Sequence, residues 1–305
     1  MTEREANPLI SVIIPVKNDA ARLRVCLAAL GRQTLPAERW EVVVADNGSD
    51  QDDPAAVVAC FPGVRCVIER KPGASAARNR AIAESRGRVL AFTDADCIPA
   101  PDWLERGLGR LEAMGGAGMV AGRISVFPRD RKRPNFLELF DMAWAFDQPM
   151  FVARGKFGAT ANLWADRDGV AAAGGFDESI PYYGEDVDLC VRLGRMGRPL
   201  VYAADVVVEH PARHQWAPFR ARMERQVGAQ YGYRPRGIRG LRKIPVDFWY
   251  DWLGIRALCK ALVHPEARGV RQHVKLLAVT VAVKAMRYRM RWKMLWARGP
   301  RSGGA

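Results

Sequence analysis

Residues 9–16 (LISVIIPV) form an apolar, β-branched run, the pattern of a strand buried on both faces. An amphipathic stretch over 19–33 follows, with Leu23, Leu27 and Leu30 at helical spacing. Residues 40–45 (WEVVVA) predict a second buried strand, stopped by the turn sequence Asp46-Asn47-Gly48-Ser49. Further strands are predicted over 64–68 and 88–93, with a helix over 74–85 between them. Strands alternating with helices predict an α/β fold built on a doubly wound, mostly parallel sheet. Such sheets bind ligands at the carboxyl ends of their strands, and here those ends carry Lys17, Asn18, Asp46 and Asp94.

The middle of the chain is less regular. A strand is expected over 118–127, a basic loop over 129–134, an aromatic-rich helix over 136–146 and a strand over 159–164. Residues 174–177 (GGFD) read as a loop, 185–196 as a helix, and 199–208 as one or two strands before Glu209-His210-Pro211. Beyond Pro211 the pattern becomes helical over 214–231, 246–263 and 267–297, rich in Arg, Trp and Tyr. These patterns predict a catalytic domain over 1–212 and a basic helical region over 213–305.

Charge sharpens that division. Residues 211–305 hold 21 Lys and Arg against 4 Asp and Glu, whereas residues 1–210 hold 26 against 29. All the positive excess lies in the last third, which points to an anionic partner there. The tail is helical and strongly apolar on one face, which suits an anionic membrane surface, or a helical cap on the catalytic domain with a basic outer face, better than nucleic acid. The six cysteines include no CxxC pair and match no zinc spacing, as expected of reduced thiols in a cytosolic protein. The N-terminal MTEREANPLI has no apolar run of signal-peptide length, and no segment reaches the roughly 18 apolar residues of a spanning helix. A cytoplasmic location, peripheral on the inner face of the cell membrane, is expected.

Asp94-Ala95-Asp96 follows a buried strand. Carboxylates at i and i+2 beyond a strand end can share a hard divalent cation, which can neutralise a diphosphate leaving group. A solvated acidic turn has the same signature. Asp46 also ends an inner strand, where a carboxylate can accept from a ribose hydroxyl or a base N–H; an Asx-type turn would need the same residues. Gly73-Ala74-Ser75-Ala76-Ala77-Arg78-Asn79 is a small-residue loop opening a helix, suited to close approach by an anion or simply an Ala-rich helix start. Glu185 and Asp186 begin a helix, where the dipole favours carboxylates anyway, and a carboxylate there can also serve as a general base toward a sugar hydroxyl. His210 ends the last strand; as a neutral imidazole it can complete a metal site or be structural.

In order, SVIIPVKN, VVVADNGSDQDDP, GASAARNRAI, the DAD at 94–96 with Pro99, GGFDE and GEDVDLCVRL resemble the family 2 glycosyltransferases of the GT-A fold. The resemblance runs from about Ser11 to His210. It implies a nucleotide-sugar donor, a divalent cation (Mn2+ or Mg2+), a glycan or lipid-linked acceptor, and inversion by one in-line displacement in cell-surface glycan or glycolipid synthesis. It further implies that Pro15 and Asp46 line the nucleoside pocket, that Arg78 and Asn79 sit near the nucleotide, and that Asp94 lies toward the ribose. Asp96 would hold the metal with Asp94 and His210, and Asp186 would be the base, supported by Glu185. Lys17 stands where many members carry an aromatic residue. No QxxRW appears near Gln215 and Trp216, which argues against a processive synthase. A sugar nucleotidyltransferase would need an early glycine-rich loop that SVIIPVKNDAARL lacks, and a nucleic-acid-binding protein would rest on the basic tail alone.

Overall fold

A computed structural model describes residues 8–180, 184–232, 262, 267 and 269–296. The chain divides into two compact units, Met1–Val126 with Phe146–Pro211, and Phe127–Ala145 with Ala212–Ala305. The segment 127–145 therefore clusters with the C-terminal residues although it lies mid-chain. The helix expected over 246–263 lies outside the described residues, Leu262 apart.

The first unit begins β1 (Ile10–Val16), α1 (Ala20–Leu30), β2 (Trp40–Asp46), α2 (Pro54–Val58), β3 (Val64–Ile68), α3 (Ala74–Glu84) and β4 (Val89–Phe92). It continues with β5 (Ile98–Pro99), α4 (Trp103–Glu112), β6 (Met119–Phe127) and, beyond a helix α5 (Phe136–Trp144) of the second unit, the single turn α6 (Gln148–Met150). β7 (Leu163–Asp166), α7 (Arg167–Ala172), α8 (Glu185–Arg195) and β8 (Leu200–Pro211) complete it. The sheet order is β3-β2-β1-β4-β7-β6-β8-β5. The first four strands are parallel, whereas β7 runs antiparallel to β4 and β6, and β5 antiparallel to β8.

β1 is flanked by β2 and β4, and both its faces are covered. Val12 and Ile14 pack with Leu23 and Leu27 of α1, while Ile13 packs with Val43, Phe92 and Ala77 of α3. Two-sided burial is why β1 and β2 are apolar at successive positions rather than alternate ones. Pro15 is tolerated in this strand. Ile13 O accepts from Thr93 N and Val16 O from Asn47 N, so the missing Pro15 N–H faces β4 beyond the last paired register, Ile13 with Phe92.

Three elements depart from the sequence pattern. The strand expected over 159–164 is a 3-10 turn at Thr160–Asn162 followed by β7. The turn places Asn162 wholly inside, where its Oδ1 accepts from Trp103 Nε1 and Trp164 Nε1 and its Nδ2 donates to the carbonyls of Arg123 and Val206. Helix α4 was masked by two glycines. Gly107 is glycine because a Cβ there would meet the Trp164 ring at 2.2 Å. Ile98–Pro99, which reads as a strand terminator, forms a two-residue edge on β8.

The second unit contains α5, α9 (Trp216–Gly232) and α10 (Gly269–Trp296). Leu137, Phe140, Phe219, Met223, Leu276, Val279 and Val283 form its core. Asp141, 1% exposed, accepts from Arg213 N and from the guanidiniums of Arg213 and Arg222, so its charge is compensated where water is excluded. Asn135 and Glu138 form a capping box that starts α5. No helix among the described residues is long and apolar enough to cross a membrane.

Candidate active site

The loops that follow β1 and β2 brace each other. Asn18 adopts φ 51, and its Oδ1 accepts from Asp50 N and Gln51 N. Its own N–H donates to Ser49 Oγ, and Ala20 N donates to Asp52 Oδ2, which caps α1 from the other loop. Asp46 accepts from Ser49 N and Ser49 Oγ through Oδ1, the Asx geometry. Pro15 is partly exposed, two residues before Lys17. Asn47 donates to the carbonyls of Glu69 and Lys71 and accepts from Gly73 N, fixing the loop that enters α3 at Gly73, φ 127. Asn-Gly signals a turn in sequence, so this tertiary clamp was hidden in it.

Arg78, 3% exposed, is the hub of the site. Its Nη2 donates to Asp94 Oδ1 at 2.9 Å, its Nη1 to Glu185 Oε1 at 3.2 Å, and its guanidinium lies over the Phe176 ring. Burial works against that charge, and Asp94, Glu185 and Asp186 outweigh it. Asn79 turns away from the strand ends: its amide accepts from Phe176 N and donates to Phe176 O and Glu178 Oε1. Arg78 thus ties the 94–96 turn to the start of α8, and Asn79 holds the 174–178 loop that precedes it.

Desolvation raises the Asp94 carboxyl, Arg78 pulls it back, and Asp96 pushes it up again, for a net rise. Asp96 Oδ2 lies 3.5 Å from His210 Nε2 and 3.6 Å from Arg22 Nη1. His210 is buried, with Nδ1 2.8 Å from Pro211 O and its ring against Phe146. An Nδ1–H donated to that carbonyl leaves the Nε2 lone pair facing Asp96. Among the described residues no group of three or more His, Cys, Asp and Glu is arranged to hold a metal alone. Asp96 and His210 adjoin, while one oxygen of Asp94 is taken by Arg78.

Asp186 is partly exposed yet closely surrounded by protein. Desolvation, with repulsion from Glu185, pushes its carboxyl up to about 7. Its Oδ1 accepts from Val187 N. A carboxyl that titrates near neutrality can take a proton and release it at the same pH, which suits a general base.

Parallel strands thus end in an acidic turn, and a buried arginine holds a second acidic pair to it. The profile of Glycosyl transferase family 2 matches residues 11–167. The chain belongs to glycosyl transferase family 2. Glycosyltransferase AglE of Haloferax volcanii is 34% identical over 212 residues, covering 68% of this chain and 68% of that one. The pre-mycofactocin glycosyltransferase of Mycobacterium tuberculosis is 30% identical over 226 residues, and that match spans 70% of this chain but only 45% of the relative. Among solved structures, mannosyltransferase PcManGT from Pyrobaculum calidifontis, in complex with GDP-Man and Mn2+, superposes with a TM-score of 0.61 at 20% identity, over 95% of this chain and 88% of that one. This family 2 member is thus a glycosyltransferase with a GT-A-type fold.

Proposed function

We propose that this enzyme transfers a sugar from a nucleotide-diphosphate sugar to an acceptor hydroxyl by a metal-assisted, inverting displacement. The observation that supports the reading is Arg78, which joins the 94–96 turn to Glu185, the neighbour of the raised carboxyl of Asp186. Asp186 takes the acceptor hydroxyl proton. The acceptor oxygen bonds to the anomeric carbon as the bond from that carbon to the diphosphate oxygen breaks, and the nucleoside diphosphate leaves. Asp46 accepts from the base or ribose beside Pro15, and Asp94 lies toward the ribose. Arg78 and Asn79 sit near the nucleotide and position these groups.

Asp96 and His210 fit a hard divalent cation: a carboxylate oxygen and an imidazole nitrogen 3.5 Å apart, with the other ring nitrogen anchored. When bound there, a cation would neutralise charge on the departing diphosphate. That PcManGT holds Mn2+ and GDP-Man supports the donor class and the cation. Nucleotide-sugar hydrolysis across a donor panel, with and without manganese, tests the reading. One donor should be slowly hydrolysed in manganese only; full activity in excess chelator would contradict it.

We further propose that the basic region places the enzyme on the cytoplasmic face of an anionic membrane, near a lipid-linked or membrane-proximal acceptor in glycan or glycolipid synthesis. Residues 211–305 hold 21 basic and 4 acidic residues. On α10 the exposed Val270, Val274, Val281 and Trp292 run beside Arg271, Lys275, Arg289 and Lys293. Cations near an anionic leaflet contribute about 1 kcal/mol each. The full chain should sediment with vesicles of anionic lipid and not neutral lipid; sedimentation with neither at low salt would remove this part of the reading.

A further inference from the structure

Residues 146–162 touch His210, the residue that follows Asp96, and helix α8. The Phe146 ring lies 4.9 Å from that of His210. Ala161 O accepts from the Cys97 thiol, which follows Asp96 directly. Gly158 O accepts from the thiol of Cys190, one helical turn beyond Asp186 on α8. Between these anchors the chain forms an irregular outward turn. Phe151–Gly155 is a single π turn, and Lys156 takes the left-handed conformation with φ 56. Both features cost energy in a non-glycine chain and concentrate at functional positions.

The turn is tightly made. The Phe151 and Phe157 rings stack at 4.8 Å and 16°. The Phe157 ring lies so close over Gly155 that a Cβ there would sit 2.6 Å from it, and a Cβ on Gly158 would sit 2.7 Å from the Ala121 Cβ. What the turn presents outward is Met150, 42% exposed, with Arg154 and Lys156. Neither cation makes a hydrogen bond or ion pair among the described residues. Two cations without a partner among the described residues, and an apolar platform, are thus carried by a turn whose flanks are anchored to the acidic site.

We propose that the 150–157 turn is the acceptor subsite and that it takes an amphiphilic phosphate ester. Arg154 and Lys156 hold the phosphate, and Met150 with the Phe151–Phe157 stack receives the apolar chain. A guanidinium matches phosphate oxygens in a forked geometry, and an ammonium beside it adds a second charge-assisted contact. The proposal rests on the reading of the 94–96 turn and Asp186 as the transfer site, since it supplies the side from which the acceptor enters.

The test is binding of farnesyl phosphate to the full chain at 0.15 M salt, with farnesol and inorganic phosphate as comparison ligands. Arg154→Gln combined with Lys156→Asn removes both charges, and Asn is at ease in the left-handed conformation. This variant should bind farnesyl phosphate about tenfold more weakly, the loss expected for two partly hydrated charge-assisted contacts. Arg32→Gln with Arg39→Gln, an equal charge change at exposed positions, should bind it as the wild type does. Unchanged affinity in the first variant, or equal loss in both, overturns the proposal. Farnesol binding as tightly as farnesyl phosphate removes the phosphate subsite, and inorganic phosphate binding as tightly removes the apolar one. Unaltered melting temperatures show that the variants fold. Nucleotide-sugar hydrolysis is measured separately on the wild type; its absence counts against the transfer reading, while the binding comparison still decides the subsite.

Discussion

The two ends of the parallel sheet carry the same residue types and treat them in opposite ways. At the amino end, Glu41 is 6% exposed. It accepts from Ser11 Oγ, Arg86 N and Arg65 Nη2, and Gly87 N donates back to Ser11. Burial pushes the Glu41 carboxyl up, but these donors outweigh it and hold it below the usual carboxylate range. At the carboxyl end, Asp94 and Asp186 share one buried guanidinium with Glu185, both carboxyls lie above their ordinary value, and the buried Arg78 Nε has no hydrogen-bond partner. The first arrangement joins strands and stabilises them. The second leaves charge uncompensated, so it is held in place by the rest of the fold and favours a ligand that brings a proton or a cation.

The largest effect should come from Asp186→Asn. Turnover should fall by about 10²–10⁴ with donor binding retained, as for loss of a general base. Normal turnover at saturating donor would give Asp186 another role. The same change should stabilise the protein. A raised carboxyl contributes stability below its ordinary value of 3.8 and loses it as pH rises toward about 7, so the variant should melt higher than the wild type above pH 7 and alike near pH 4. Glu41→Ala should do the reverse. It strands three donors and should cost about 2–3 kcal/mol of unfolding free energy while activity per folded molecule stays unchanged. Since the Glu41 carboxyl is lowered, the wild type's advantage should be present above the ordinary carboxylate range and shrink as pH falls through its folded value. The smallest effect is expected at the exposed Lys71–Glu178 pair, 2.5 Å apart, where Lys71→Ala should leave the unfolding midpoint close to that of the wild type. A larger loss in a chemical denaturation curve would mean that the 174–178 loop depends on this tether and not on Asn79.

The parallel half of the fold was readable because β1 and β2 carry apolar residues at successive positions, 12–16 and 42–45, and end in turn residues, a local signal. The acidic residues were readable for the same reason: Asp46 closes β2, Asp94 and Asp96 follow the end of β4, and Asp186 lies in the first turn of α8. The antiparallel half was not. β7 is four residues long, and the residue that organises it, Asn162, is polar and buried, so its burial depends on partners up to 59 positions away along the chain, such as Trp103. Helix α4 hid behind Gly107, whose reason is a tryptophan on another strand. Arg78 reads in sequence as a phosphate contact at a helix start, and only the fold shows its guanidinium spent on two carboxylates.

The contrast between the two sheet ends is tested most directly by the pH dependence of kcat/KM for nucleotide-sugar turnover, at saturating manganese, in the wild type and in Asp186→Asn. Activity should fall as pH drops through about 7 in the wild type, because the base must be ionised, and the variant's residual activity should lack that limb. A wild-type profile flat from about pH 5 to 8, or the same limb in both proteins, would contradict the assignment of Asp186 as the base.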